Sequence, residues 1–166
     1  MISKVVSDTG PLLHISEIEI IKALDIFKEI NIPEEVKNEL NKNKIILDLF
    51  HNLVLINLKP KFKIVTEILI NKFSLDIGEA EAISLALQEK TEYFLTDDLE
   101  ARTVASIHNL KVHGTVGIIL RAFRENIIKK ETALNKVIEL YTESSLFITK
   151  DLIDYIIKSI NEFKTR

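Results

Sequence analysis

Residues 2–10 read Ile-Ser-Lys-Val-Val-Ser-Asp-Thr-Gly, an apolar stretch that stops at an acid and a turn. A short apolar run bounded by turn residues reads as a buried strand, here Ile2 to Ser7, ending at Asp8. A second run, residues 92–96, reads the same way and ends at Asp97 and Asp98. Between the two, helical patterns carry Glu39 and Glu79. Strands alternate with helices from residue 2 to residue 113, which argues for a parallel sheet with helices on both faces. In such a sheet strand ends and helix starts meet at one edge, and ligands bind there. Four carboxylates gathered at that edge repel one another unless a cation neutralises them. All-oxygen ligation suits Mg²⁺ or Mn²⁺, and such sites usually work on phosphates.

Outward from these two strands, Leu12 to Leu24 fits a helix behind Pro11. Ile26 to Ile32 is apolar at alternate positions and reads as a strand closed by Pro33. Glu34 to Asn41 is a helix with proline at its first turn, a favoured place for it. Val54 to Leu58 is a strand or an extended link. Helices are expected over Lys61 to Phe73 and from Asp76 or Gly78 to about Gln88. Leu99 to His108 continues the pattern, and Lys111 to His113 is a short strand closed by Gly114. The tail is wholly helical: Val116 to Glu125, Lys130 to Thr142 and Lys150 to Phe163. The expected organisation is one domain over residues 1–166, with an α/β core to about residue 125 and a helical C-terminal extension over 126–166. The chain has 4 glycines and no Gly-rich phosphate loop.

A chain of 166 residues with 46% hydrophobic and 28% charged content is globular and long enough for a full core. The absence of cysteine excludes disulfides, thiolate metal sites and a cysteine nucleophile. No apolar run approaches the roughly 20 residues of a membrane span, and Asp8 interrupts what would be the apolar region of a secretion signal. The expectation is a soluble cytoplasmic protein with no membrane contact. A formal net charge of −3 counts against simple electrostatic binding of nucleic acid, less so against a metal nuclease whose own acids inflate the negative total. Lys59, Lys61 and Lys63, and Lys129 with Lys130, read as solvated surface.

Each acid has a plain reading beside the chemical one. Asp8 before Thr9-Gly10 is also a helix N-cap or turn residue. Glu39, beside Val36 and Leu40, is also a surface group on its helix. Glu79 shares a helical face with Ala82, Ile83 and Ala86, a small apolar face suited to packing on the sheet. Glu81 shares a more mixed face with Ser84, Leu85 and Gln88. A two-residue step turns about 200° on a helix, so the two cannot aim at one point; Glu79 is preferred and Glu81 held in reserve. Of Asp97 and Asp98, one is expected to cap the following helix while the other faces the sheet edge. Arg102 is also an i,i+4 partner of Asp98. His14, His51, His108 and His113 make no metal motif, and no role is assigned to them.

The order of these pieces resembles the PIN-domain nucleases, including the toxins of VapBC-type toxin–antitoxin pairs. The motifs that carry the resemblance are Asp8-Thr9, Glu39 in V-K-N-E-L, Glu79 in E-A-E-A-I-S-L-A, and Asp98 in T-D-D. The stretches S-D-T-G-P-L (7–12), D-D-L-E-A-R (97–102) and G-T-V-G-I-I-L-R-A (114–122) are most similar to an archaeal and bacterial branch of PIN-like proteins. The resemblance spans about residues 3 to 160. It implies a three-layer α/β/α domain and an RNA-cleaving hydrolase that uses Mg²⁺ or Mn²⁺. Asp8, Glu39, Glu79 and Asp98 are then the catalytic acids, with Asp8, Asp98, Glu79 and Asp97 toward the metal. Thr9 orients Asp8 or a substrate oxygen, and Arg102 pairs with phosphate. RNA, an antitoxin protein and a second copy of the chain are the implied partners. The alternative is a PIN-like module that binds protein or RNA and cleaves weakly.

Overall fold

Val5, Val6 and Ser7 of β1 (Ile2–Ser7) have no exposed surface, as a strand covered on both faces requires. In the computed structural model, which describes residues 1–163, β1 is the middle strand. It lies between β2 (Phe27–Ile32) and β4 (Tyr93–Leu95), with β3 (Leu53–Leu55) and β5 (Lys111–His113) at the edges, in the order β3-β2-β1-β4-β5. Every pairing is parallel; Val5 stands opposite Ile30 on one side and Tyr93 on the other. The chain runs outward from β1 to β3, then returns to β4 on the opposite side. That reversal makes a topological switch point, and a crevice opens at the carboxyl ends of β1 and β4.

Helices cover both sides of the sheet. They are α1 (Thr9–Glu17), α2 (Glu34–Lys42), α3 (Pro60–Phe73), α4 (Ile77–Glu89), α5 (Leu99–Ile107), α6 (Thr115–Arg124), α7 (Lys130–Thr142) and α8 (Lys150–Glu162). α4 is the most deeply held, against β1, β4, α2, α3 and α5. Gly78, Ala80, Ala82, Ile83, Ser84, Leu85 and Ala86 are all buried on it, and most are small because neighbours approach from several sides. The C-terminal helices build outward, α7 on α6 and α8 on α7. Ala133, Val137 and Leu140 on α7, and Ile153, Ile156 and Ile160 on α8, form stripes at helical spacing. The Phe163 ring closes this layer edge-on against Phe123 of α6, with centroids 5.4 Å apart.

The expected helix from Leu12 to Leu24 is two pieces. α1 begins earlier, at Thr9, and ends at Glu17; Glu19 takes φ 52°, and a 3₁₀ segment follows at Ile21–Ile26. Ile18, Ile20, Ala23, Leu24 and Ile26 are all buried. The apolar pattern therefore runs straight through the break and carries no sign of it. The stretch Val54 to Leu58, open between strand and link, is strand only at its start: Leu53–Leu55 pairs with β2 as an edge strand.

Candidate active site

β1 and β4 are tied at their carboxyl ends by Asp8 N–H donating to Leu95 O at 2.8 Å. That bond sets Asp8 beside the turn Thr96-Asp97-Asp98. Thr96 joins the two acidic turns: its hydroxyl donates to Asp8 Oδ2 at 3.0 Å and accepts from Asp98 N at 3.1 Å. A cleft of about 310 Å³ opens over this junction. It is lined by Asp8, Thr9, Gly10 and His14 from the β1–α1 side and by Glu39 of α2. Asp76 and Glu79 at the start of α4, and Asp97 and Asp98 after β4, complete the floor. Ser145, Leu146 and Phe147 line it from the loop between α7 and α8.

Four helices begin here, and each has an acid at its start. Asp8 accepts from Thr9 N at α1, Asp76 from Glu79 N at α4, Asp98 from Ala101 N at α5, and Asp97 from Thr115 N at α6. Capping and cleft lining are thus one placement. Helix N-termini carry unpaired N–H groups and partial positive charge, which explains how so many carboxylates are tolerated together. Asp76 and Glu79 form a reciprocal capping box, with Asp76 N donating back to Glu79 Oε2 at 3.1 Å.

The compensation is incomplete. Burial pushes the Asp8 carboxyl up to about 7 against the help of its Thr9 and Thr96 hydrogen bonds, and the charges of Asp76 and Glu39 add to the rise. Glu79 is likewise pushed up to about 7, first by burial and then by Asp76, Asp98 and Asp8. Glu39 is raised by burial, although the Thr9 hydroxyl donates to its Oε2. Room for Glu39 comes from Gly78: a Cβ there would stand 2.5 Å from Glu39 Oε1.

The cleft brings together Asp8, Glu39, Glu79, Asp97 and Asp98, and places Thr9 among them. Glu81 is elsewhere; its Oε2 accepts from Glu35 N at 3.1 Å, capping α2. Asp97 is held as well as present: Oδ2 meets His14 Nδ1 at 2.7 Å and the Thr115 hydroxyl at 2.5 Å. Arg102, expected to pair with phosphate, lies beside the cleft rather than in its lining. Its Nη2 donates to Thr96 O at 3.3 Å, and it lines no part of the cleft and makes no ion pair with Asp98 among the described residues. A carbonyl left over at the end of β4 needs a donor, and the arginine supplies it beside Gly114.

His14, Asp76 and the 145–147 loop escaped the sequence reading. Gly10 and His14 are four residues apart on a helix that starts at Asp8, a spacing that puts both on one face. Asp76-Ile77-Gly78-Glu79 carries the spacing of a capping box, a usable signal for Asp76. Nothing local marks Phe147. A larger cavity, about 690 Å³, opens at the opposite ends of β1 and β4. Its acids, Glu89 and Glu92, are paired with Lys4 and Lys111, unlike Asp8, Glu39 and Glu79 of the smaller cleft, which make no ion pair among the described residues.

The donor chemistry of the cleft fits a hard divalent cation: every charged ligand atom is a carboxylate oxygen, and at Asp8, Glu39 and Glu79 burial and like charge disfavour the ionised form that a cation would favour. Asp98 Oδ2, Glu39 Oε1 and Glu79 Oε1 have no protein donor among the described residues. As placed, no three of the described His, Asp or Glu side chains stand close enough together to hold a metal ion. Binding of a cation by three of these side chains would therefore require them to move.

A family model described as PIN domain matches residues 4–162, nearly the whole chain. No curated protein and no solved structure matches it.

Proposed function

The chain belongs to the PIN-domain family, whose members are generally nucleases, and from that premise we propose that it is a divalent-metal-dependent endoribonuclease. The observation that carries the reading is the gathering of Asp8, Glu39, Glu79 and Asp98 in one cleft at the switch point of the sheet. Asp8, Asp98 and Glu79 would hold Mg²⁺ or Mn²⁺, with Glu39 and Asp97 beside them. When bound, such a cation supplies Lewis-acid activation of water and neutralises charge on the phosphate.

The residues of the chain do the rest. Thr96 holds Asp8 and the Asp98 backbone in fixed relation, and Thr9 holds Glu39. The starts of α1 and α5 meet at the cleft, and the partial positive charge of those helix ends would favour an anionic phosphate there. His14 is fixed by Asp97 and stands within the lining. The role of toxin in a toxin–antitoxin pair, with a protein antitoxin and a homodimeric state, extends the same reading to partners.

The experiment is cleavage of a mixed-sequence single-stranded RNA with Mg²⁺ or Mn²⁺. Cleavage is expected to stop with EDTA and to fall at least about hundredfold in Asp8→Asn and in Asp98→Asn, because each removes a ligand charge. Glu79→Gln is expected to lose more than Glu81→Gln. Equal cleavage by the parent and Asp8→Asn would place the activity elsewhere. A second reading, a weakly cleaving interaction module, is favoured by the spacing of the acids, too wide as they stand for a metal. It takes precedence if no divalent ion supports cleavage once copurifying chains have been excluded.

A further inference from the structure

Phe147 is 89% exposed, an aromatic side chain left in water on the lining of an acidic cleft. The loop that carries it is pinned on both sides. Ser145 donates to Glu17 Oε2 through its N–H at 2.9 Å and its hydroxyl at 3.0 Å. Leu146 packs against the core, and Ile148 is buried at 8% exposure. The turn thus packs Leu146 partly and Ile148 fully against the core and leaves Phe147 as the exposed aromatic of the cleft lining.

We propose that Phe147 is a stacking platform for a nucleobase of single-stranded RNA next to the phosphate in the cleft. The inference rests on the nuclease reading and adds a base subsite to it. A phosphate site walled by carboxylates, on a chain of net charge −3, gains little long-range attraction for RNA. An exposed aromatic ring supplies attraction that does not depend on charge, and every base has a π-face to offer it, so the subsite tolerates any sequence. A phenylalanine has only two side-chain torsions, and here the backbone that carries it is anchored at Ser145, so little freedom is lost on stacking.

The chain contains no tryptophan, so Phe147→Trp places a single tryptophan at the cleft, excited selectively over the tyrosines. The titration uses a short mixed-sequence single-stranded RNA with Mn²⁺, in an Asp8→Asn background that leaves the RNA uncut. The expected result is quenched emission on saturation. Phe147→Ala in the same background should bind about tenfold more weakly and Phe147→Tyr nearly as well as the parent. With Asp8 intact, Phe147→Ala should raise KM about tenfold and leave kcat little changed. Its melting temperature should not move, because the ring is not part of the core. RNA binding with unchanged emission and an unaffected Phe147→Ala overturns the subsite while leaving the nuclease reading intact. Failure of the Asp8-containing chain to bind or cut RNA removes both. Emission that follows protein concentration and ignores RNA overturns the subsite in favour of a contact between copies.

Discussion

Asp8 is the buried acid of the cleft, and its titration has a definite sign. Its folded-state value, about 7, lies above the ordinary 3.8, so folding favours the protonated carboxyl. That contribution is complete below about pH 4 and is lost as pH rises through about 7, an effect of at most about 4 kcal/mol. Glu79 acts in the same direction from a half-buried position. Without divalent ions, thermal melts should show Asp8→Asn gaining on the parent as pH rises from 5 to 8; a constant difference would mean that Asp8 is ionised throughout. Cleavage with Mn²⁺ should run the other way, rising through pH 7 as both groups become available to a cation. Gly78 is the second informative residue. An added Cβ meets the mobile end of Glu39, so Gly78→Ala should leave the melting temperature nearly unchanged while displacing that carboxylate. A roughly hundredfold fall in cleavage is expected, the order of loss that small misplacements cause. Unaltered cleavage would show that Glu39 need not sit where Thr9 holds it.

At the scale of elements, the site is a meeting of helix starts. Asp76 holds the first turn of α4, and through it the position of Glu79. Asp76→Ala should cost about 1 kcal/mol in chemical denaturation, a typical loss for an N-cap. Asp76→Asn keeps the cap but removes a charge that raises both Asp8 and Glu79. It should therefore keep the stability and move the cleavage profile to lower pH. If Asn and Ala behave alike in both measurements, the capping box is not what positions Glu79. α5 and α6 are held in the same manner by Asp98 and Asp97, adjacent residues that serve two different helices.

Over the whole molecule, repulsion in the cleft is a store of instability that a cation relieves. On the proposed function Mn²⁺ would bind the folded chain in preference to the unfolded one, and it should then raise the melting temperature by mass action, by the equivalent of about 2.7 kcal/mol at a hundredfold excess over Kd. Differential scanning fluorimetry of the parent beside Asp8→Asn measures this; the variant should keep little of the shift. An equal shift in both would place the cation at another part of the surface. The C-terminal helices bear on the same cleft. Packed outward from α6, they carry the 145–147 loop back to a site built by the first 98 residues.

The parallel sheet, the helices on both faces and the strand-end positions of Asp8, Asp97 and Asp98 were legible in the sequence because they are local. A buried strand is a short apolar run, and a cap lies within a few residues of the N–H it accepts. The preference for Glu79 over Glu81 was also readable, since helical spacing alone separates their faces. Other features depend on segments far apart in the chain. Thr9 meets Glu39 across 30 residues, His14 meets Asp97 across 83, and Ser145 meets Glu17 across 128. No local pattern encodes such pairs; the strand order and the stacking of α7 and α8 on α6 bring them together. The break after α1 was hidden for the opposite reason, because burial on both sides of Glu19 continues the apolar pattern through a turn that only packing required. The partner of Arg102 was not legible because it is a backbone carbonyl freed by the end of β4, a need that arises only once the sheet has formed.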